Sequence, residues 1–145
     1  MDKAYKVTAI EETINRTNLK CLQLNDRINL ERCMPANGRF DGHIVQGHVD
    51  DISVCKSIEN KNGSWLFTFK INNESNKNLL VEKGSVCLNG ISLTIASVTG
   101  VEFSVAIIPY TYENTNMNLI TPGSIVNIEY DIIGKYISKI LLSNK

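Results

Sequence analysis

Long apolar runs, an excess of either charge, paired cysteines and glycine-rich phosphate loops are all missing from this chain of 145 residues. No apolar run approaches the roughly 20 residues of a bilayer span. The opening MDKAYKVTAIEE carries acids where a signal peptide keeps an uninterrupted apolar stretch. A soluble, cytoplasmic protein is the expectation. Fifteen basic residues balance fifteen acidic ones, so no net field steers the chain toward nucleic acid or an anionic membrane. Neither is expected as a partner, whereas small molecules and other proteins remain open. Cys21, Cys33, Cys55 and Cys87 form no CxxC pair and are not accompanied by a histidine cluster. A zinc site needs such grouping, so no metal is expected, and in a cytoplasmic chain the thiols are read as reduced and mostly buried. No GxGxxG, Walker loop or GxSxG elbow occurs, which leaves nucleotide-phosphate binding and serine-hydrolase chemistry without local support. The length allows one good core or two very small ones, not two full-sized domains.

What the chain does contain is a series of short strands. VCLNGISLTI places two alternating runs around Asn89-Gly90, the strongest short hairpin signal. Val86 and Leu88 then face inward with Ile91, Leu93 and Ile95, and Ser92 and Thr94 share the opposite face. SWLFTFKI alternates in the same way after a turn at NKNGS, and residues 103–108 and 125–130 complete the evident strands. In IIGKYISKILL the period changes. Ile133, Tyr136, Ile137, Ile140 and Leu141 fall at three- and four-residue spacing, an amphipathic helix whose apolar face either packs on the strands or meets copies of itself.

The chain also repeats itself. Residues 5–33 lie without a gap on residues 103–131: Thr13 matches Thr111, Thr17 Thr115, Asn18 Asn116, Asn29 Asn127, and Glu31 Glu129. Two unrelated strands of similar composition would not keep the TxxxTN and NxE signatures in register. The long portion from about Gly47 to Gly100 belongs to the second copy only.

Both histidines fall in GHIVQGHVD, residues 42–50. In an extended chain their odd separation sends His43 and His48 to opposite faces, so they do not share a metal without a bulge, and no third ligand motif accompanies them. His48, following Gly47, is either a ring bonded to nearby backbone or a titratable imidazole offered to a ligand. Asp131 closes VNIEYD on the face of Asn127 and Glu129, either as a solvated rim carboxylate or as a group that supports a neighbouring base. The TxxxTN threonines suit the satisfaction of backbone groups in a helical turn, and their position after IIPYT also suits a pocket wall.

Taken in order, TNLxxLxxxDRINLERxMPANGRFxGHIVQGHVD, KGSVCLNGISLTI, IIPYTYENTN and GSIVNIEYDIIGKY resemble the riboflavin synthase family of the lumazine-binding, two-barrel type over nearly the whole chain. The resemblance implies an all-β fold class: a six-stranded Greek-key barrel, with one complete barrel, a partial first barrel and a C-terminal helix. In these terms residues 1–43 are a remnant of the first lumazine-binding barrel, 44–131 the complete second barrel and 132–145 an oligomerisation helix joining three chains. It further implies the dismutation of two molecules of 6,7-dimethyl-8-ribityllumazine, without metal or other cofactor, and lumazine synthase as a protein partner. The alternative is a non-catalytic lumazine- or flavin-binding protein on the same barrels.

Carried over by position, the resemblance assigns proton transfer to His48 and its electrostatic support to Asp131. Substrate contacts fall on Gly47, His48, Val49, Lys83, Ser92, Leu93, Thr94, Ala106, Ile107, Ile108, Pro109, Tyr110 and Thr111, with Thr8, Ala9, Ile10, Glu11, Glu12 and Thr13 as the corresponding first-barrel stretch. Asp41 departs from the family, which usually has glycine before the first Gly-His. The family's opening MFTGIIE-like segment and first-barrel NGxCLTV hairpin are also absent. The remaining first-barrel strands are therefore expected to have unpaired edges, and this chain alone to turn over poorly or not at all.

Overall fold

The computed structural model describes residue 4 and residues 6–143. Six strands close into one antiparallel barrel: β1 (Asp51–Asn60), β2 (Trp65–Ile71), β3 (Ser85–Leu88), β4 (Ile91–Thr99), β5 (Glu102–Ile107) and β6 (Ile125–Tyr130). They bond in the order β1-β2-β5-β4-β3-β6, and β6 returns to β1 with Asp51 opposite Ile128. Closure removes the unpaired edge that an open sheet would leave. The turns follow local chemistry. Asn89 (φ 47°) and Gly90 (φ 84°) are both left-handed, as a two-residue type I′ hairpin requires. Bulges between Cys55 and Ser57 and between Ile95 and Ser97 add the local bend that a small barrel needs.

Alternation sends one face of every strand into a dry centre. Phe67, Phe69, Phe103, Val86, Leu88, Ile95, Val105, Ile107, Val126 and Ile128 fill it, and Met117 closes one end. Tyr130 is buried among them, and its hydroxyl, which lies toward Asn76, makes no hydrogen bond of normal geometry among the described residues. A buried, unsatisfied hydroxyl costs about 1–3 kcal/mol. Tyr130→Phe is therefore expected to leave the barrel as stable as before or to raise its denaturation midpoint; a clear loss in a urea melt would mean that the hydroxyl has a partner.

Three short helices flank the strands: α1 (Glu11–Arg16), α2 (Pro109–Asn114) and α3 (Ile132–Ser143). Helix α3 covers the range read from its period. Its attachment runs through Gly134, beside Leu79, and through Lys135, whose Nζ lies 2.6 Å from Asp50 Oδ2. Tyr136, Ile137, Ile140 and Leu141 stay exposed, so the apolar face does not pack on the barrel. No helix among the described residues is long and apolar enough to cross a membrane.

Two expectations are corrected. Among the described residues no strand precedes Asp51; residues 6–50 hold only α1 and a 3-10 turn at Asn18–Cys21. A strand is maintained by hydrogen bonds to neighbours, and these segments have none to pair with. The cysteines are also not mostly buried: Cys55 and Cys87 lie in the barrel, but Cys21 and Cys33 are exposed in the strandless part.

Candidate functional site

The repeat read from the sequence is also a structural repeat. Helix α1 and the turn after it correspond to α2 and the 3-10 turn at Asn116–Leu119. Ile10 and Ile108 precede the helices with the same extended backbone. In each copy a threonine hydroxyl donates to the carbonyl four residues earlier, Thr17 to Thr13 and Thr115 to Thr111, both at 2.6 Å. The same oxygen accepts the backbone N–H that opens the following turn. The first-copy stretch Ile10 to Thr13 thus has the local form of the second-copy stretch Ile108 to Thr111, whereas Thr8 and Ala9 lie in no strand and Ala106 and Ile107 belong to β5.

The copies also grip each other reciprocally. Asn18 N donates to Asn127 Oδ1 at 2.7 Å, and Asn116 N donates to Asn29 Oδ1 at 2.8 Å. Asn29 Nδ2 continues to the carbonyl of Asn89 at the hairpin. Between them lies a cavity of about 220 Å³ whose lining includes Gly47, Val49, Cys87 and Glu129. Burial, and then the charge of Glu129, push the Cys87 thiol up to about 12, which keeps it protonated at neutral pH. Each asparagine bond contributes about 1 kcal/mol. The pair Asn29→Ala and Asn127→Ala is expected to accelerate limited proteolysis of residues 18–50 roughly tenfold while leaving the barrel folded; unchanged cleavage would show that this segment is held by other contacts.

A second surface carries most of the remaining assigned residues, none of which lines that cavity. On β4, Leu93 and Ile95 enter the core while Ser92 and Thr94 face out. Thr94 pairs with Ser85 on β3. Lys83 N donates to Ile95 O at 2.9 Å, and Ile95 N to Gly84 O, so the exposed Lys83 lies at the Thr94 end of the strand. On the other side the Ile95–Val105 pairing brings the exposed Ala106 next to Thr94. Ile107 returns to the core, and Ile108, Pro109 and Tyr110 are exposed at the start of α2, Tyr110 to 74%. Leu93 and Ile107 can therefore meet a ligand on this wall only through their backbone. Trp65 of β2 stacks on Tyr112 of α2, with centroids 3.8 Å apart and planes 8° from parallel, pinning α2 to the barrel.

The segment 42–50 lies along the outside of β4, β3 and β6. Gln46 N donates to Glu129 Oε1 at 2.7 Å, so Glu129 is only 4% exposed although alternation turns it outward. At Gly47 the backbone is left-handed (φ 77°), and His48 beyond it is exposed and forms no side-chain hydrogen bond among the described residues. Asp131 is not bonded to His48. Its Oδ1 accepts from Ile133 N at 2.9 Å, capping α3. Two contacts are absent from the sequence reading. Asp50 Oδ2 accepts from Tyr130 N at 2.8 Å and holds Lys135; its place just before β1 was the only signal. His43 Nδ1 lies 2.7 Å from Ser92 Oγ, and the Gly-His pair at 42–43, as conspicuous as that at 47–48, was the available hint.

A closed barrel with an aromatic core, polar side chains aligned on its outer wall and a helix-and-turn segment repeated along the chain defines a small-barrel protein with a partial internal repeat. More specifically, the chain belongs to the lumazine-binding family of riboflavin synthases: the model of the lumazine binding domain matches residues 46–131. It is 42% identical over 138 residues to riboflavin synthase of Actinobacillus pleuropneumoniae, covering 95% of this chain and 64% of that protein. With riboflavin synthase of Mycobacterium bovis it shares 35% identity, covering 98% of this chain and 72% of the relative. The chain thus spans somewhat less than two thirds of the length of the A. pleuropneumoniae protein. The crystal structure of LumP complexed with riboflavin has the same fold, with a TM-score of 0.74 at 24% identity over 83% of this chain and 65% of LumP.

Proposed function

We propose that the barrel binds 6,7-dimethyl-8-ribityllumazine on the outer wall of β3, β4 and β5, and that the chain takes part in the riboflavin synthase reaction. There two lumazines dismutate: one transfers a four-carbon unit to the other, giving riboflavin and 5-amino-6-ribitylaminopyrimidinedione. The observation that carries this reading is the placement of Lys83, Ser92 and Thr94 on one exposed wall, in a chain 42% identical to a riboflavin synthase. A flat heterocycle needs hydrogen bonds at its edge and apolar contact on its face, which these groups and the neighbouring Ala106 and Ile108 offer. The 7-methyl group of the substrate is already acidic through delocalisation into the ring, so orientation and modest acid/base help suffice. His48 moves the proton in this proposal. Asp131, bound to the helix through Oδ1, keeps Oδ2 for electrostatic support.

Dismutation brings two lumazines together, and one barrel wall holds one. We assign residues 1–43 to a first barrel unit that supplies the corresponding wall at Thr8 to Thr13, and residues 44–131 to the second. To residues 132–145, of which Ile132–Ser143 form α3, we assign the association of three chains. The exposed apolar face of α3 supports self-association. A cytoplasmic location, with lumazine synthase as a protein partner, belongs to the same proposal.

The test is a titration with the lumazine, followed through Trp65, the single tryptophan, with chromatography for riboflavin. Saturable quenching with little or no turnover by the chain alone is expected. Ser92→Ala with Thr94→Ala should weaken binding tenfold or more. Absence of saturable binding sinks the reading, and binding by a chain supplemented with a first barrel but without product would reduce it to a non-catalytic lumazine binder.

A further inference from the structure

Resting on the lumazine reading, we propose that His43 is a positioning residue of the ligand wall: its Nδ1 accepts a hydrogen bond from the Ser92 hydroxyl and so fixes Ser92 as a hydrogen-bond acceptor toward the ligand. The observations converge on one oxygen. Ser92 Oγ accepts from the backbone N–H of His43 at 3.2 Å and lies 2.7 Å from the ring Nδ1 of the same residue. A Cβ on Gly42 would stand 2.4 Å from that oxygen, so the absence of a side chain at 42 is what lets the backbone close on Ser92. The segment is therefore pressed against the one strand whose outward side chains form the candidate wall.

The chemistry then follows from counting protons. A serine hydroxyl has one proton and two lone pairs. The His43 N–H occupies one lone pair, and among the described residues the ring Nδ1 is the acceptor that the hydroxyl proton reaches. When Nδ1 accepts it, the neutral imidazole carries its own proton on Nε2, and one Ser92 lone pair remains free. Ser92 can then receive a donor from the ligand, such as a ring N–H or a ribityl hydroxyl, and rejects an acceptor placed there. Nε2 is buried without a partner among the described residues in either neutral tautomer; the Nδ1–H form would donate to Ser92 Oγ and turn the hydroxyl proton toward the ligand, and finding that form overturns the proposal. His43 thus acts on the ligand through Ser92.

Two measurements test this. In 15N-labelled protein, with the rings assigned by His48→Gln, His43 is expected in the Nε2–H tautomer, and Ser92→Ala should shift it toward the tautomer mixture of a free imidazole. A His43 ring that ignores Ser92→Ala overturns the proposal without any ligand being added. In lumazine titrations read through Trp65, His43→Ala should weaken binding about tenfold. His43→Asn, whose amide reaches the Nδ1 position, should recover most of the loss. His43→Ala combined with Ser92→Ala should bind within about twofold of Ser92→Ala alone, since the two act as one unit. Additive losses, or wild-type affinity in His43→Ala, would overturn the proposal and leave the contact as a latch for residues 42–43. If the wild-type protein binds no lumazine, the functional reading fails and the ligand role of His43 with it, while the tautomer still reports whether the pair forms.

Discussion

Phe69→Ala is expected to destabilise the barrel by about 4 kcal/mol and to lower its melting temperature by about 10 °C. Phe69 has no exposed surface and stands between Phe67 and Phe103, with ring centroids 6.2 Å and 5.8 Å away. Its two ring neighbours come from the same strand and from the paired strand β5, where Phe69 faces Phe103 directly. A closed barrel cannot collapse onto the space left by a ring, because every strand is held on both sides by hydrogen bonds. The cost therefore includes the cavity as well as the lost transfer of the side chain. Phe69→Leu, which keeps most of the volume, should recover at least half of the loss. Equal melting of the alanine variant and the parent protein would mean that this centre is not packed as described.

Asp50→Ala carries the second large effect, about 3 kcal/mol, and it should be local in its readout. The carboxylate accepts the backbone N–H of Tyr130 and pairs with Lys135, both side chains of the ion pair being about three-quarters buried. Hydrogen bonds to charged groups contribute about 1.5–3 kcal/mol, and removing one partner of a largely buried pair leaves the other charge uncompensated. Asp50 thus fastens α3 to the end of β6. The variant should release α3 to proteolysis before the barrel unfolds. Lys135→Met should be milder, because Asp50 keeps its bond to Tyr130 N. If both variants were equally damaging, the bond to β6 would be contributing little. A helix that stays protected in Asp50→Ala would show that Gly134 beside Leu79 is attachment enough.

The local features of the fold were legible because short-range chemistry decides them. Asn89-Gly90 announces a left-handed two-residue turn whatever surrounds it, and the alternation around it separates Val86, Leu88, Leu93 and Ile95 from Ser92 and Thr94. The threonines of TxxxTN cap their own turns within four residues. Periodicity likewise marked α3, but it could not say where the apolar face points. Glu129 shows the limit most clearly. Its outward register is correct, yet it is buried, because the cover comes from Gln46, which is 83 residues away.

The amino-acid sequence by itself determined the hairpins, the duplicated unit and the split of each strand into an inward and an outward face, since all of these depend on residues within a few positions or on comparison of the chain with itself. Tertiary structure alone decided what each outward group meets: Asn18 at Asn127, Asp50 at Lys135, and His43 at Ser92, pairs separated by 109, 85 and 49 residues. Such meetings are made by barrel closure and by the path of segment 42–50 over it. Spacing along a chain fixes which side a residue faces, but only the closed sheet fixes who stands opposite.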